Sequence, residues 1–173
     1  MNNEEKNTYV RQQLTNTLIK LLKVKDINDI SIKELCDDAM VGRASFYRNY
    51  SSKEDVLAAY ATALIVEWGK LIEKNPEINI LNFFEHLFIH FSQNKTFYLC
   101  LHKQGLSLIL LDAIKKKMEL TENIPNKDAY GRAWLAYGVY GLIEEWIERG
   151  MTETPSEMNE IILKSFTQQK EST

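Results

Sequence analysis

The apolar residues of this chain recur at spacings of three and four, the period of an amphipathic α-helix. The pattern first runs over residues 4–24, where Leu14 and Leu18 lie on one predicted face. It returns along most of the chain, so we expect an all-α fold of about nine helices. The later helices are expected at 32–39, 43–50, 53–74, 79–93, 95–118 (two short helices that meet near Gly105), 127–149 and from Pro155 onward.

Capping residues support several of these boundaries. Ser31 is followed three residues later by Glu34, which is the pattern of a capping box. Ser52 is followed by Asp55, an acid that suits the first turn of a helix. The result is three short helices with a tight turn between the second and the third, which indicates a helix-turn-helix.

The predicted third helix has two unlike faces. Phe46 and Tyr50 lie four positions apart and are expected to pack on the first two helices, while the opposite face is free of acids. In a helix-turn-helix the third helix lies in the major groove of DNA, where Arg and Asn read base edges. A solvated amphipathic helix has a similar pattern, so periodicity alone leaves both interpretations open. The candidate DNA contacts are Arg43, Ser45, Tyr47, Arg48 and Asn49, with Lys53 at the start of the fourth helix.

The segment "ISIKELCDDAMVGRASFYRNYSSKEDVL" resembles the DNA-binding domain of the TetR/AcrR family of transcriptional regulators. The resemblance covers roughly residues 5–60, and its most specific part is "FYRNYSSKEDVL". It implies a dimeric regulator whose helical carboxy-terminal domain binds a small effector. It also implies that the six residues above contact DNA, and it places Ser31 and Lys33 near a position that contacts the DNA backbone.

Two positions depart from the family pattern. Met40 stands in the turn where the family often has Gly, so a left-handed backbone is expected at a residue with a side chain. Gly42 stands where the family favours Ser or Thr as N-cap, and it lacks a side-chain acceptor. Both changes are expected to weaken the turn slightly without removing the outward cations.

Charge and composition refine this interpretation. The 173-residue chain has a formal charge of −3, but residues 1–55 contain nine basic and nine acidic residues, so the excess of acids lies in residues 56–173. DNA binding must therefore depend on where the cations lie. We expect a helix-turn-helix domain at 1–55 and a helical sensing and dimerisation domain at 56–173.

The predicted helix at 127–149 is apolar over more than half of its circumference, so two surfaces must cover it. One is the core of its own domain, and the other is a symmetry mate, which predicts a homodimer through the two carboxy-terminal helices. A central core helix of a monomer remains the alternative. The stretch "YGVYGLIEEWIERGMTETPSEM" resembles a branch of the same family that includes regulators of dihydroxyacetone kinase expression.

Aromatic residues are frequent in the carboxy-terminal part, and a pocket for an effector is expected to use such side chains. Ordinary core packing explains the same stripes, so both interpretations stay open. The candidate effector-binding residues are Phe88, Phe91, Tyr98, Trp134 and Tyr137.

Enzymatic and metal-binding functions find little support. His86 and His90 have the i, i+4 spacing of a zinc chelate, but they do not form an HExxH motif and are expected to be ordinary packing residues. No phosphate loop or nucleophile motif occurs, and no catalytic residue, cofactor or metal is expected. The chain shows no signal-peptide pattern or membrane span, which predicts a cytoplasmic protein.

The expected function is therefore a regulator, most simply a repressor, that binds a palindromic operator as a homodimer and responds to a small molecule. The alternative is a coactivator that keeps this fold but binds a partner protein instead of an operator, as the resemblance to that branch implies. The cations on the third helix favour DNA binding over binding of a partner protein.

Overall fold

The computed structural model describes residues 3–168, and within this range the chain forms nine α-helices, one 3-10 helix and no strand. This confirms the all-α prediction and the helix-turn-helix arrangement at the amino terminus. The helices are α1 (Asn3–Leu21), the 3-10 helix (Ile27–Asp29), α2 (Ile32–Asp38), α3 (Arg43–Asn49), α4 (Lys53–Lys74), α5 (Phe83–Gln93), α6 (Lys95–Lys103), α7 (Leu108–Lys117), α8 (Asn126–Glu148) and α9 (Pro155–Gln168).

Local capping explains why the helices begin where they do. The Ser31 hydroxyl accepts a hydrogen bond from the Glu34 N–H at 3.0 Å, and the Ser52 hydroxyl accepts one from the Asp55 N–H at 3.1 Å. Each bond satisfies a backbone donor that a helix leaves free at its first turn. Gly150 follows α8 with a φ of 84°, the left-handed conformation that ends a helix at low cost for glycine.

The start of α5 differs from the prediction of 79, because α5 begins only at Phe83. The Asn79 N–H donates to the side-chain oxygen of Asn82 at 2.8 Å, and the Asn82 amide donates to the carbonyl oxygen of Glu77 at 3.0 Å. Asparagine side chains that bond to nearby backbone favour turns over helix. The apolar residues before Phe83 therefore lie in turns.

Helices α1, α2 and α3 pack on one another and form the amino-terminal head, and α1 also packs on α4. Helix α4 then continues into the rest of the molecule and packs on α7, while α5 packs on α9 and α8 contacts α6 and α7. The domain boundary expected after residue 55 lies in the first turn of α4. That division stays a prediction, because α4 belongs to both parts.

Both cysteines lie in the interior. Cys36 is 1% exposed beneath the turn of the head, and Cys100 is 8% exposed on α6. Burial raises the pKa of each thiol. Within residues 3–168, no helix combines the length and the apolarity that crossing a membrane requires.

Candidate nucleic-acid interface

The turn between α2 and α3 sets the direction of the third helix. Met40 has a φ of 53°, so the backbone is left-handed there, as expected. Its N–H donates to the carbonyl oxygen of Asp37 at 3.1 Å, and the Val41 N–H donates to that of Cys36 at 2.9 Å. These two bonds form a Schellman motif at the end of α2. Gly42 then precedes α3 without a side-chain capping bond.

We expect Met40→Gly to raise the free energy of unfolding by up to about 1 kcal/mol, because a residue with a Cβ is strained in the left-handed region. The Met40 side chain is 84% exposed, so its loss removes little packing. Urea denaturation followed by circular dichroism measures the change. Met40→Ala is the matched control, since it removes the side chain but keeps the strain. An equal gain in both variants would contradict this explanation.

Buried aromatic rings hold α3 against the head. Phe46 is fully buried and Tyr50 is 9% exposed, and both belong to the same core cluster as Leu14 and Leu35. The ring centroids of Phe46 and Tyr50 lie 6.1 Å apart. Burial raises the pKa of the Tyr50 hydroxyl above its usual value. The two side chains thus occupy the inward face that the sequence assigned to them.

The exposed surface of α3 carries the predicted cations. Arg43, Tyr47 and Arg48 are exposed, with 61% of Tyr47 accessible, while Ser45 and Asn49 are half-buried at the margins. Helix α3 contains no acidic residue. This surface can therefore approach a phosphate backbone without like-charge repulsion from α3 itself.

Hydrogen bonds fix the orientation of two of these side chains. An Arg48 Nη donates to the Ser45 hydroxyl at 2.7 Å. The Asn49 amide nitrogen donates to the Ser45 carbonyl at 2.8 Å, and the Asn49 oxygen accepts from Arg11 Nε at 3.0 Å. Sequence reasoning missed Arg11, because this contact joins α1 to α3 across 38 residues and leaves no local pattern.

A polar groove of about 570 Å³ lies beside α3. Its lining includes Arg11, Arg48 and Lys116, which come from three different helices, together with Tyr47 and Asp55. The groove extends the cationic surface from the head toward α7. Lys116 was not among the predicted residues, since it follows α3 by almost 70 positions and lies in an ordinary basic run.

Two of the three other predicted contacts, Ser31 and Lys53, already have partners inside the protein. The Ser31 hydroxyl caps α2, whereas Lys33 is exposed in the first turn of that helix. The Lys53 ammonium donates to the carbonyl oxygens of Ile27 and Ile30, and so joins the start of α4 to the segment between α1 and α2. An ammonium group has three N–H donors, so one is left for a phosphate. The DNA contacts assigned to these residues stay predictions.

The five aromatic residues predicted to bind an effector are not brought together. Phe88, Phe91 and Tyr98 are at most 1% exposed and lie in the core, where the rings of Phe91 and Tyr98 are 4.4 Å apart. Trp134 and Tyr137 lie on the outer surface of α8 and are 72% and 53% exposed. Beside Phe91 lies a cavity of about 40 Å³, which is far smaller than a ligand of ordinary size. The effector role of these residues stays a prediction.

A larger groove of about 460 Å³ separates the end of α4 from α5. Trp68, Ile72 and Ile89 form much of its apolar lining, and Lys74 and His90 are among its polar groups. His90 is 8% exposed, and burial lowers its pKa to about 4, so the ring is neutral at pH 7. Within the described residues, no three His, Cys, Asp or Glu side chains converge as metal ligands.

The outer face of α8 is apolar and uncovered. It presents Tyr130 and Trp134, each 72% exposed, with Tyr137 nearby. A Cβ added at Gly138 or Gly141 would meet no atom within 4 Å, so the backbone itself is open to close approach at these positions. Ile161 of α9 adds a further exposed apolar side chain. Such a continuous apolar face marks an interaction surface.

Comparison with known protein families identifies the family of this chain. Residues 79–168 match the family model for the carboxy-terminal region of TetR transcriptional regulators. That match covers slightly more than half of the chain. No curated protein sequence matches the chain significantly. None of the comparisons confirms the branch that includes the dihydroxyacetone kinase regulators.

Solved structures share the fold. Lin0861 from Listeria innocua superposes with a TM-score of 0.79 at 17% identity, over 95% of this chain and 93% of that one. A TetR transcriptional regulator from Streptococcus agalactiae gives 0.62 at 19% identity, over 94% and 96% of the two chains. A TetR-family protein from Syntrophomonas wolfei gives 0.63 at 19% identity, over 91% and 93%. The chain belongs to the TetR family of transcriptional regulators.

Proposed function

We propose that this regulator binds a palindromic operator as a homodimer and represses transcription. In this proposal residues 1–55 contact DNA, and residues 56–173 dimerise and bind a small effector. The observation that carries the proposal is the asymmetry of α3, in which Phe46 and Tyr50 are buried while Arg43, Tyr47 and Arg48 are exposed. A two-fold dimer presents two such helices to successive major grooves, which is why the operator is expected to be palindromic.

We expect the purified protein to select a palindromic site from fragmented genomic DNA. Arg43→Ala should then weaken binding to the recovered site and relax its preference at one base pair by about 1–3 kcal/mol, because a guanidinium can read guanine through two hydrogen bonds. Fluorescence anisotropy on the site and on its single-base variants measures both effects.

Lys127→Ala is the matched control, because it removes one exposed positive charge at the start of α8, far along the chain from the head. It should leave the base preference and the salt dependence of binding unchanged. If Arg43→Ala weakens binding to every DNA sequence equally, Arg43 is a phosphate contact. The slope of log affinity against log salt concentration should then be smaller in magnitude by about one unit. If the wild type selects no DNA, the coactivator function with a protein partner takes precedence.

The outer face of α8 is the proposed dimer interface, with α9 beside it. Its exposed aromatic rings and its uncovered glycines, Gly138 and Gly141 among them, suit the symmetric packing of a second copy of the same face. Between α8 and α9 an apolar groove of about 430 Å³ continues this surface. A four-helix contact of this kind gives the two heads a defined separation.

We propose that the effector binds in the groove between α4 and α5. The five aromatic residues predicted from the sequence lie apart, in the core and on the surface. The Nε2 of His90 lies 3.0 Å from the Tyr98 hydroxyl. Burial raises the pKa of Tyr98, so this phenol keeps its proton, and we propose the tautomer of His90 in which the phenol donates a hydrogen bond to Nε2. The neutral imidazole then carries its own proton on Nδ1. With Lys74 in the same lining, the groove suits a small carboxylate that has an apolar body.

We expect benzoate and short-chain fatty acids to raise the melting temperature more than the corresponding amides do, because a carboxylate pairs with Lys74 and accepts from His90. His90→Phe should abolish this difference while keeping an aromatic ring in the groove. Lys74→Met should reduce the same difference, and its control is Lys70→Met, because Lys70 is an exposed lysine outside the groove lining. Differential scanning fluorimetry measures the shifts. Equal shifts in melting temperature with the acids and the amides would show that this groove is not a carboxylate site.

A further inference from the structure

One side chain at the carboxy-terminal end of α6 forms hydrogen bonds directly with the head. Gln104 follows the last residue of α6, and its side-chain oxygen accepts from the Ile27 N–H at 2.9 Å. Its amide nitrogen donates to the carbonyl oxygen of Lys25 at 3.2 Å and lies 3.5 Å from that of Leu22. We call these three contacts the Gln104 clamp. They use both ends of one amide, and they join positions about 80 residues apart in sequence.

The clamp acts on a segment that α4 also holds. The Ile27 carbonyl accepts from the Lys53 ammonium, and so does the carbonyl of Ile30. The backbone of Ile27 is thus held by two helices. Its N–H donates to Gln104 at the end of α6, and its C=O accepts from Lys53, the first residue of α4. Ile27 and Ile30 themselves are buried in the core. The segment between α1 and α2 is therefore a point where the head meets the rest of the molecule through specific hydrogen bonds.

Helix α6 is also joined to α8. His102 Nδ1 lies 2.8 Å from a carboxylate oxygen of Glu144, and both side chains are partly buried. At the other end of α6, Lys95 Nζ donates to the carbonyl oxygen of Gly150 at 3.3 Å. Gln104 and His102 are two residues apart, so one short helix connects the head to the helix whose outer face is the proposed dimer surface.

We infer that Gln104 is a positioning residue that fixes the orientation of the head relative to α8, and that it thereby sets the half-site spacing which the dimer accepts in its operator. This inference rests on the proposed function. The heads of a dimer reach two half-sites only at the separation that the protein imposes. Without the Gln104 clamp, the head is attached through its packing on α4 and the bonds from Lys53 at the start of that helix, and it can rotate with α4 to accept other spacings.

The test compares wild type with Gln104→Met, which has a side chain of similar length but no amide. Operators are prepared from the selected site with base pairs inserted or deleted at its centre, and their affinities are measured by fluorescence anisotropy. We expect the wild type to lose affinity steeply when the spacing changes. We call the affinity for the operator with the best spacing, divided by the affinity for an operator with an altered spacing, the spacing ratio. In Gln104→Met the spacing ratio should fall by roughly fivefold or more, as expected for a coupling between sites.

The spacing ratio distinguishes a positioning role of Gln104 from an effect on the stability of the fold. A variant that is partly unfolded loses affinity for every operator by the same factor, so its ratio between spacings does not change. Gln93→Met is the matched control, because Gln93 is an exposed glutamine at the end of α5 that forms no part of the Gln104 clamp. Its ratio should equal that of the wild type.

Amide hydrogen exchange supplies a readout that needs no DNA. The Ile27 N–H should exchange slowly in the wild type and at least about tenfold faster in Gln104→Met, since its acceptor is removed. Unchanged exchange at Ile27, or an unchanged spacing ratio in a variant that still binds DNA, would overturn the inference and leave the proposed function intact. A wild type that selects no DNA would overturn the proposed function, and the spacing inference with it.

Discussion

Phe46→Ala should destabilise the head by about 3–5 kcal/mol, the usual cost of removing a buried aromatic ring and leaving a cavity. Phe46 is fully buried and its ring contacts those of Tyr47 and Tyr50. Helix α3 has only seven residues, so it has little stability of its own and depends on this packing. Urea denaturation, followed by near-ultraviolet circular dichroism of the aromatic residues, measures the loss.

Tyr47→Ala is the matched control on the same helix, because Tyr47 is mostly exposed. It should change stability by less than about 1 kcal/mol and yet weaken operator binding, whereas Phe46→Ala should lose operator binding because the head unfolds. If the two variants were equally unstable, the assignment of inner and outer faces to α3 would be wrong.

Trp134→Glu should convert the proposed dimer to a monomer at micromolar concentration. The residue lies in the middle of the exposed apolar face of α8, and a two-fold axis would place two carboxylates in one desolvated contact. Loss of a central aromatic residue alone typically costs about 2 kcal/mol or more of the free energy of association. In a symmetric dimer the substitution is present in both subunits. Sedimentation equilibrium measures the dissociation constant directly.

The monomer formed by Trp134→Glu should also bind the operator at least about a hundredfold more weakly, because the second head is no longer held near its half-site. Leu108→Glu is the control, since Leu108 is 64% exposed on α7 and receives the same charge outside α8. A Trp134→Glu protein that remains dimeric would place the subunit contact elsewhere on the surface.

The amino-terminal head was the most predictable part of the molecule, because its signals are local. Ser31 and Ser52 mark helix starts through bonds to residues three positions away, and the spacing of Phe46 and Tyr50 identifies the buried face of α3. The left-handed turn at Met40 followed from the family pattern. In each case the determining contact lies within one or two helical turns of the residue itself.

The aromatic residues of the carboxy-terminal part were less predictable. Helix α8 is apolar over more than half of its circumference, so its period does not reveal which side faces the core, and Trp134 could not be assigned to the surface before the structure placed it there. Contacts over long distances in sequence were invisible for a related reason. Lys53 bonds to carbonyls more than twenty residues away, and Gln104 to carbonyls about eighty residues away, and neither leaves a periodic pattern.

The burial of both cysteines bears on how the regulator can receive a signal. Oxidants react with thiolates, and Cys36 and Cys100 are inaccessible and have raised pKa values, so the thiolate form is scarce at neutral pH. Peroxide or a disulfide-exchange reagent therefore finds no ready target in these two thiols. A thiol-based redox sensor would need the opposite surroundings, with an accessible cysteine of lowered pKa.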